Sequence, residues 1–405
     1  MVIVLLCVML RKGFTLNEPE ADIFASKSKL IFPNNPDDRQ VLLQIKSSLK
    51  NPTHLDSWKP NADCCSWEGI QCGSSSNRVT TLQFDNANIS GQLPPAIGNL
   101  PYLETLMINN CPRLTGSLPA TLAKLTHLSH ISISGTRISG PVPSFLSGLK
   151  NLTYIYLANN QFTGSIPSSL AQLTKLTVIH LNNNKLTGSI PDSFGEFTGN
   201  VPDIVLNHNQ ITGSIPKSMG NLNYSAIVLS ENMLEGDASV LFGKNKTLRF
   251  AYLGRNKLSF DISKVEFPAS LTTLELTHNS ITGSLPASLA RLDLTYLKVG
   301  YNKLCGKIPV GGRLQELHAS AYLPNQCLCG APLPKGGKGA GMQMDVCLRD
   351  VVALGLWMDV LGTGSLIMGG GVLYFPFCSL MIFVSPAIIT QCRSGMRGLV
   401  LVFSQ

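Results

Sequence analysis

Charge is scarce in this chain. Asp, Glu, Lys and Arg make up 14% of its 405 residues, against ~25% in an average soluble domain. The net charge of +8 is spread thinly, with no run of Lys or Arg. That argues against a nucleic-acid surface, where clustered cations must displace counterions from phosphates. Also missing are HExxH, GxSxG, the P-loop spacing and a dinucleotide fingerprint, so the usual signatures of hydrolase and nucleotide chemistry are absent. There is no CxxC pair, which argues against ordinary zinc sites. The acidic pair Asp37-Asp38 stands where a helix would begin and reads as solvated capping carboxylates rather than an acid–base pair. No catalytic residue, metal or cofactor is expected. Disorder is argued against as well, because 44% of the residues are hydrophobic, too many for a chain that cannot build a core. The eleven cysteines avoid the middle: between Cys72 and Cys305 there is only Cys111.

What is abundant is repetition. Thr-Gly-Ser-Ile/Leu-Pro begins at Thr115, Thr163, Thr187, Thr212 and Thr282, and weaker copies begin at Ser90, Ser139, Glu235, Ser259 and Cys305. The ten starts lie 23 to 25 residues apart. Each copy follows LxxLxLxxNxLxGxIPxxLxxL, as in Leu152, Ile155, Leu157, Asn160, Phe162, Gly164, Ile166 and Pro167. Alternation around Ile155 and Leu157 predicts a short strand with one buried face. Asn160 follows where the chain turns and can satisfy backbone groups that no strand partner reaches. One copy cannot bury its apolar edge alone, so copies must stack. The fold expected is an α/β leucine-rich repeat solenoid, a curved right-handed superhelix of ten ~24-residue repeats with a parallel concave sheet and cysteine-containing caps.

The divisions follow. Residues 1–34 form an atypical signal-like leader, 35–78 an N-terminal cap, 79–310 the ten repeats, 311–334 a C-terminal cap, and 335–405 a Gly-rich linker with an apolar tail. Three positions break the pattern: Cys111 and Thr136 stand at the asparagine position, and Phe260 replaces the turn glycine. Cys111 reads as a buried structural thiol, and Phe260 is expected to distort its turn. In the first cap, Val41, Leu42, Ile45 and Leu49 share a helical face. Cysteines at both ends and four sequons, at Asn88, Asn151, Asn223 and Asn245, point to an oxidising, exported setting.

With no catalytic constellation, function is expected on the concave sheet, as binding. Residues flanking the inward apolar pair of each strand point out of it. They include Gln83, Asp85, Met107, His130, Tyr154, Tyr156, Val178, His180, Asp203, Val205, His208 and Val228. Further along come Glu231, Arg249, Phe250, Tyr252, Arg255, Glu275, His278, Tyr296, Lys298 and Tyr301. Aromatic and Arg side chains are favoured interface anchors. The four histidines are expected to charge in a mildly acidic wall and adjust binding.

The segment NPDDRQVLLQIKSSLKNPTHLDSWKPNADCCSWEGIQC, Asn35 to Cys72, resembles the amino-terminal cap of plant extracellular leucine-rich repeat proteins. With ten repeats and CLCGAPLP after them, the chain resembles the polygalacturonase-inhibiting proteins from about Asn35 to Pro334. The resemblance implies a secreted cell-wall protein that binds fungal endopolygalacturonase with its concave face, with pectin or another wall polysaccharide as a further ligand. It implies two disulfides per cap, of which Cys65–Cys72 and Cys305–Cys327 carry over intact. Asn34 stands where the family has a cysteine, so Cys64 lacks its usual partner. The closing cysteine after CLCGAPLP is missing, so Cys329 would need Cys347 as a substitute. The 33 residues Val360 to Cys392 contain no charged residue. They read either as a membrane anchor, making the chain a plasma-membrane receptor-like protein that senses a peptide or wall fragment, or as sequence beyond the natural end.

Overall fold

The computed structural model describes residues 36–334 and, beyond them, four short strands. The described chain opens with the helix Pro36–Ser48. Leu42, Ile45 and, just past its end, Leu49 bury one face, as their spacing requires, and Val41 is partly buried beside them. Asp38 departs from expectation. It is 2% exposed, not solvated, because its carboxylate accepts from Arg78 Nε at 2.8 Å, Arg78 Nη2 at 2.7 Å and the Val79 amide at 3.0 Å. A buried carboxylate is tolerable only with such a full set of charged and backbone donors.

The cap closes the first repeat with aromatic bulk. Trp58 stacks on Trp67 with centroids 5.5 Å apart and lies 5.9 Å from Phe84 of the first repeat. Cys65 and Cys72 are bonded, while Cys64 is a buried free thiol whose pKa is raised, chiefly by burial. The strand Ile70–Cys72 runs antiparallel to Val79–Asp85 and covers the open edge of the concave sheet.

Ten parallel strands then follow in strict chain order, from Val79–Asp85 to Tyr296–Lys298. Registers repeat copy to copy, as in Tyr154 opposite Val178, and Val178 opposite Asp203. The inward residues, such as Ile155, Leu157, Ile179 and Leu181, are fully buried. On the far side nine of the ten repeats make a short 3₁₀ turn, usually just after the proline, as Pro167 precedes Ser168–Gln172. Proline suits this place because its φ is preset and it has no donor to leave unmet. Pro36–Ser48 is the one α-helix among the described residues, so the helical side of the solenoid is built from 3₁₀ turns.

A ladder of asparagines runs through the turns. Asn184 Nδ2 donates to the carbonyls of Leu157, Leu181 and Asn182, and its Oδ1 accepts from the Phe162 amide at 3.0 Å. Asn209, Asn232, Asn256, Asn279 and Asn302 repeat the arrangement. Asn325 in the C-terminal cap continues it. Cys111 is buried in this ladder as expected, with its Sγ near the carbonyls of Phe84 and Asn109. The turn glycine has φ between 74° and 109° in nine copies. Phe260 takes the remaining place without a positive φ, and the outer ladder there shrinks to one bridge, Asp261 to Thr282.

In the C-terminal cap Cys305 and Cys327 are bonded. Cys329 is disulfide-bonded as well, and Tyr322, fully buried with its hydroxyl donating to the Leu314 carbonyl, is pushed up to about 12 by burial. The leader 1–34 and the linker lie outside the described residues, with Cys347. Of the apolar tail, the structure describes Val360–Leu361, Ser365–Ile367, Val372–Tyr374 and Val400–Val402, which pair in one sheet. No helix among the described residues is long and apolar enough to cross a membrane.

Candidate functional site

The concave sheet gathers the outward residues of ten strands into one continuous surface, because each parallel register step advances one full repeat. Its first third is polar and internally bonded. Asp85 accepts from Asn109 Nδ2 at 2.9 Å and closely from Gln83 Nε2. Asn109 Oδ1 accepts from Ser132 and Ser134 hydroxyls at 3.2 and 2.9 Å. Gln83 and Asp85 are therefore held in place by bonds within the face itself. His54 and Glu68 of the cap share a shallow depression with them. Sequence reasoning missed those two, because cap loops have no repeat register from which to count.

The middle of the face is aromatic. His130, Tyr154, Tyr156 and His180 come from three adjacent strands. The two tyrosine rings are parallel, 2° apart in plane, with centroids at 6.1 Å. His130 stacks on Tyr154 at 6.1 Å, and His180 lies 5.2 Å from Tyr156. Burial is the main cause that lowers the His180 pKa, opposed by Asp203. His180 thus resists the charging expected of all four histidines. Tyr154 is raised, first by burial and then by Tyr156. Val178 on the strand of His180, and Met107, Asp203 and Val205 on other strands, are half-buried and extend the same surface.

The last third mixes signs. Glu275 is the main departure from the sequence reading: it is 9% exposed and is not a free contact residue. Its carboxylate accepts from the amides of Gly254 at 2.8 Å and Thr277 at 3.0 Å, from Ser230 Oγ at 3.2 Å, and closely from Thr277 Oγ1. His208, Glu231, Arg255, His278 and Tyr301 all have φ between 53° and 58°. They stand on the turns after the strands, at the rim of the face, where a left-handed residue redirects the chain. There Glu231 lies 3.0 Å from His208 and 3.8 Å from Arg255. Arg249 lies 5.3 Å over the Phe250 ring, Lys298 5.4 Å over Tyr296, and His278 stacks on Tyr301 at 3.9 Å. Val228, Phe250, Tyr252 and Tyr296 are half-buried between them.

The sequon asparagines lie off this face. Asn88, Asn223 and Asn245 are exposed. Asn151 is half-buried and engaged at both ends of its amide, donating to the Thr126 carbonyl at 2.9 Å and accepting from Lys175 Nζ at 2.8 Å. Among the described residues Asp63, Cys64 and Cys65 come close enough together to suggest a metal site, but the Cys65 sulfur is spent in its disulfide.

A leucine rich repeat N-terminal domain model matches residues 35–73, and leucine rich repeat models match 126–186 and 270–292. The chain is 60% identical to Polygalacturonase inhibitor 1 of Arabidopsis thaliana over 301 residues, 74% of this chain and 91% of that protein. It is 58% identical to a polygalacturonase inhibitor of Vitis vinifera over 299 residues, 74% of this chain and 90% of that one. Among solved structures it is similar to a plant ice-binding protein, with a TM-score of 0.72 and 47% identity over 74% of this chain and 97% of the other.

Proposed function

This chain belongs to the polygalacturonase inhibitor family, and we propose that it is an extracellular plant-defence protein that binds a fungal endopolygalacturonase and occludes its active cleft. Like its family, it is a binding protein and not an enzyme. The observation that carries the reading is the aromatic run His130, Tyr154, Tyr156 and His180 at the centre of the concave sheet. Interfaces concentrate their binding energy in such central aromatic anchors, ringed by contacts that mainly exclude water. The flanking Met107, Val178, Val205, Asp203 and the polar Gln83–Asp85 group supply that ring. Inhibition needs roughly 800 Å² per partner, and ten strands at ~4.8 Å spacing give a face on the order of 48 Å long. Arg249, outside the charge-balanced group of Glu231, Glu275, Arg255 and Lys298, adds a cation toward the acidic cleft of such an enzyme. Asn88, Asn223 and Asn245 would carry glycans beside the face. Cell-wall location and contact with pectin belong to the same reading.

The test is direct. The purified chain is added to fungal endopolygalacturonases acting on polygalacturonate, and reducing ends are counted. Inhibition should fall by tenfold or more in Tyr154→Ala and Tyr156→Ala, as for a hot spot of ~2 kcal/mol. Inhibition that both variants leave intact moves the contact elsewhere, and no inhibition of any enzyme in a broad panel removes the function.

A further inference from the structure

The end of the concave face suits a ligand other than a folded enzyme. Over the last repeats the sheet sinks into an open hollow of ≈ 460 Å³ lined by Ser230, Tyr252, Glu275, Tyr296 and Tyr301 among others. Small-molecule sites span about 300–1,000 Å³. Three tyrosines line it: Tyr252 and Tyr296, with ring centroids 6.1 Å apart and planes tilted by 39°, and Tyr301, 53% exposed and stacked on the His278 ring.

Charge then selects the ligand. The lining holds two acids, Glu231 and Glu275, and two bases, Arg255 and Lys298. Glu231 is engaged by His208 and Arg255, and the Glu275 oxygens are taken up by Ser230, Gly254 and Thr277. Lys298 sits over its neighbour Tyr296. The signs cancel, so the hollow offers no net charge to hold an ionic ligand. A polyanion would set its carboxylates against Glu231 and the buried Glu275. The Asn207 amide and the Ser320 hydroxyl also line it, and the Ser230 and Thr277 hydroxyls, whose protons go to Glu275, keep lone pairs that accept, so the lining pairs with groups that both donate and accept.

We propose that this hollow is a second binding site, for an uncharged saccharide whose rings stack on Tyr252 and Tyr296. Flat ring faces meet the tyrosines, hydroxyls meet the polar lining, and neither needs a counter-charge. Ser320 comes from the C-terminal cap, so the cap adds one polar group to a lining otherwise built by the last repeats. The proposal does not depend on inhibition of polygalacturonase, and its test contains no enzyme.

The full chain is titrated with uncharged tetrasaccharides of β-linked glucose, mannose and galactose, and with tetragalacturonate. Ligand binding is followed by saturation-transfer NMR and calorimetry. We expect saturable binding of at least one uncharged tetrasaccharide. Tyr296→Ala should weaken it about tenfold, Tyr296→Phe should keep most of it, and Tyr102→Ala on the flank should change nothing. Thermal melts check that each variant is folded. The proposal is overturned if no uncharged tetrasaccharide saturates, if folded Tyr296→Ala binds as the parent does, or if tetragalacturonate binds more tightly in this hollow.

Discussion

The carboxylate of Glu275 fills the space that a side chain on Gly254 would occupy. A Cβ built on Gly254 would lie 2.1 Å from Glu275 Oε1, while the Gly254 amide donates to Oε2 at 2.8 Å. Gly254 is required here for a close approach and not for its φ, which is not positive. Gly254→Ala should therefore cost about 1–3 kcal/mol by overpacking. Glu275→Ala should cost a similar amount by leaving buried donors unmet. The double variant should lose clearly less than the sum, since removing the carboxylate makes room for the new methyl. Chemical denaturation of the four proteins measures the coupling, and simple additivity would refute the arrangement.

A buried ion pair across 40 residues of sequence ties the cap helix to the first repeat. Asp38 is 2% exposed and Arg78 17%. Asp38→Asn keeps the shape and removes the charge, stranding Arg78. A loss of about 3–5 kcal/mol is expected, as for breaking one side of a buried pair. Hydrogen exchange should localise the loosening to the cap helix and the first repeat. Exchange unchanged there would show that the tryptophan stack alone holds the cap.

His180 makes a pH prediction with a definite sign. Its folded pKa lies below its ordinary value of 6.5, chiefly through burial. The unfolded chain then binds more protons than the folded one between the folded pKa and ~6.5, so stability rises with pH across that window. Acidification below ~6.5 should destabilise the parent more than His180→Gln. Melting curves from pH 4.5 to 7.5 compare the two, and parallel curves would contradict the assignment. The same shift bears on the proposed inhibition: burial makes charging His180 beside Tyr156 less favourable than charging an exposed histidine, so this histidine opposes acid activation.

The four sequons should not behave alike. Asn88, Asn223 and Asn245 are exposed, whereas both polar ends of Asn151 are used. Glycopeptide mass spectrometry of chain secreted from plant cells is expected to find glycan on the three and an unmodified Asn151. Full occupancy at Asn151 would mean that its bonds to Thr126 and Lys175 give way.

Much of this molecule was legible in its residues because a repeat states its own geometry many times over. Ile155, Leu157 and Asn160 imply a buried strand and a bonded turn, and the copies at 179, 181 and 184 confirm the period. Burial of an apolar pair and the need to bond turn carbonyls are local demands, so the solenoid, its ten strands and its outward residues follow from spacing alone. The departures came where contacts cross between copies or leave the repeat. Asp38 finds Arg78 forty residues away, Glu275 turns into its own sheet to meet Gly254 and Ser230, and Ser320 joins the last hollow from the cap. Spacing says which way a side chain leaves the backbone. Only the packed tertiary structure decides whether it meets water, a partner, or a donor on another repeat.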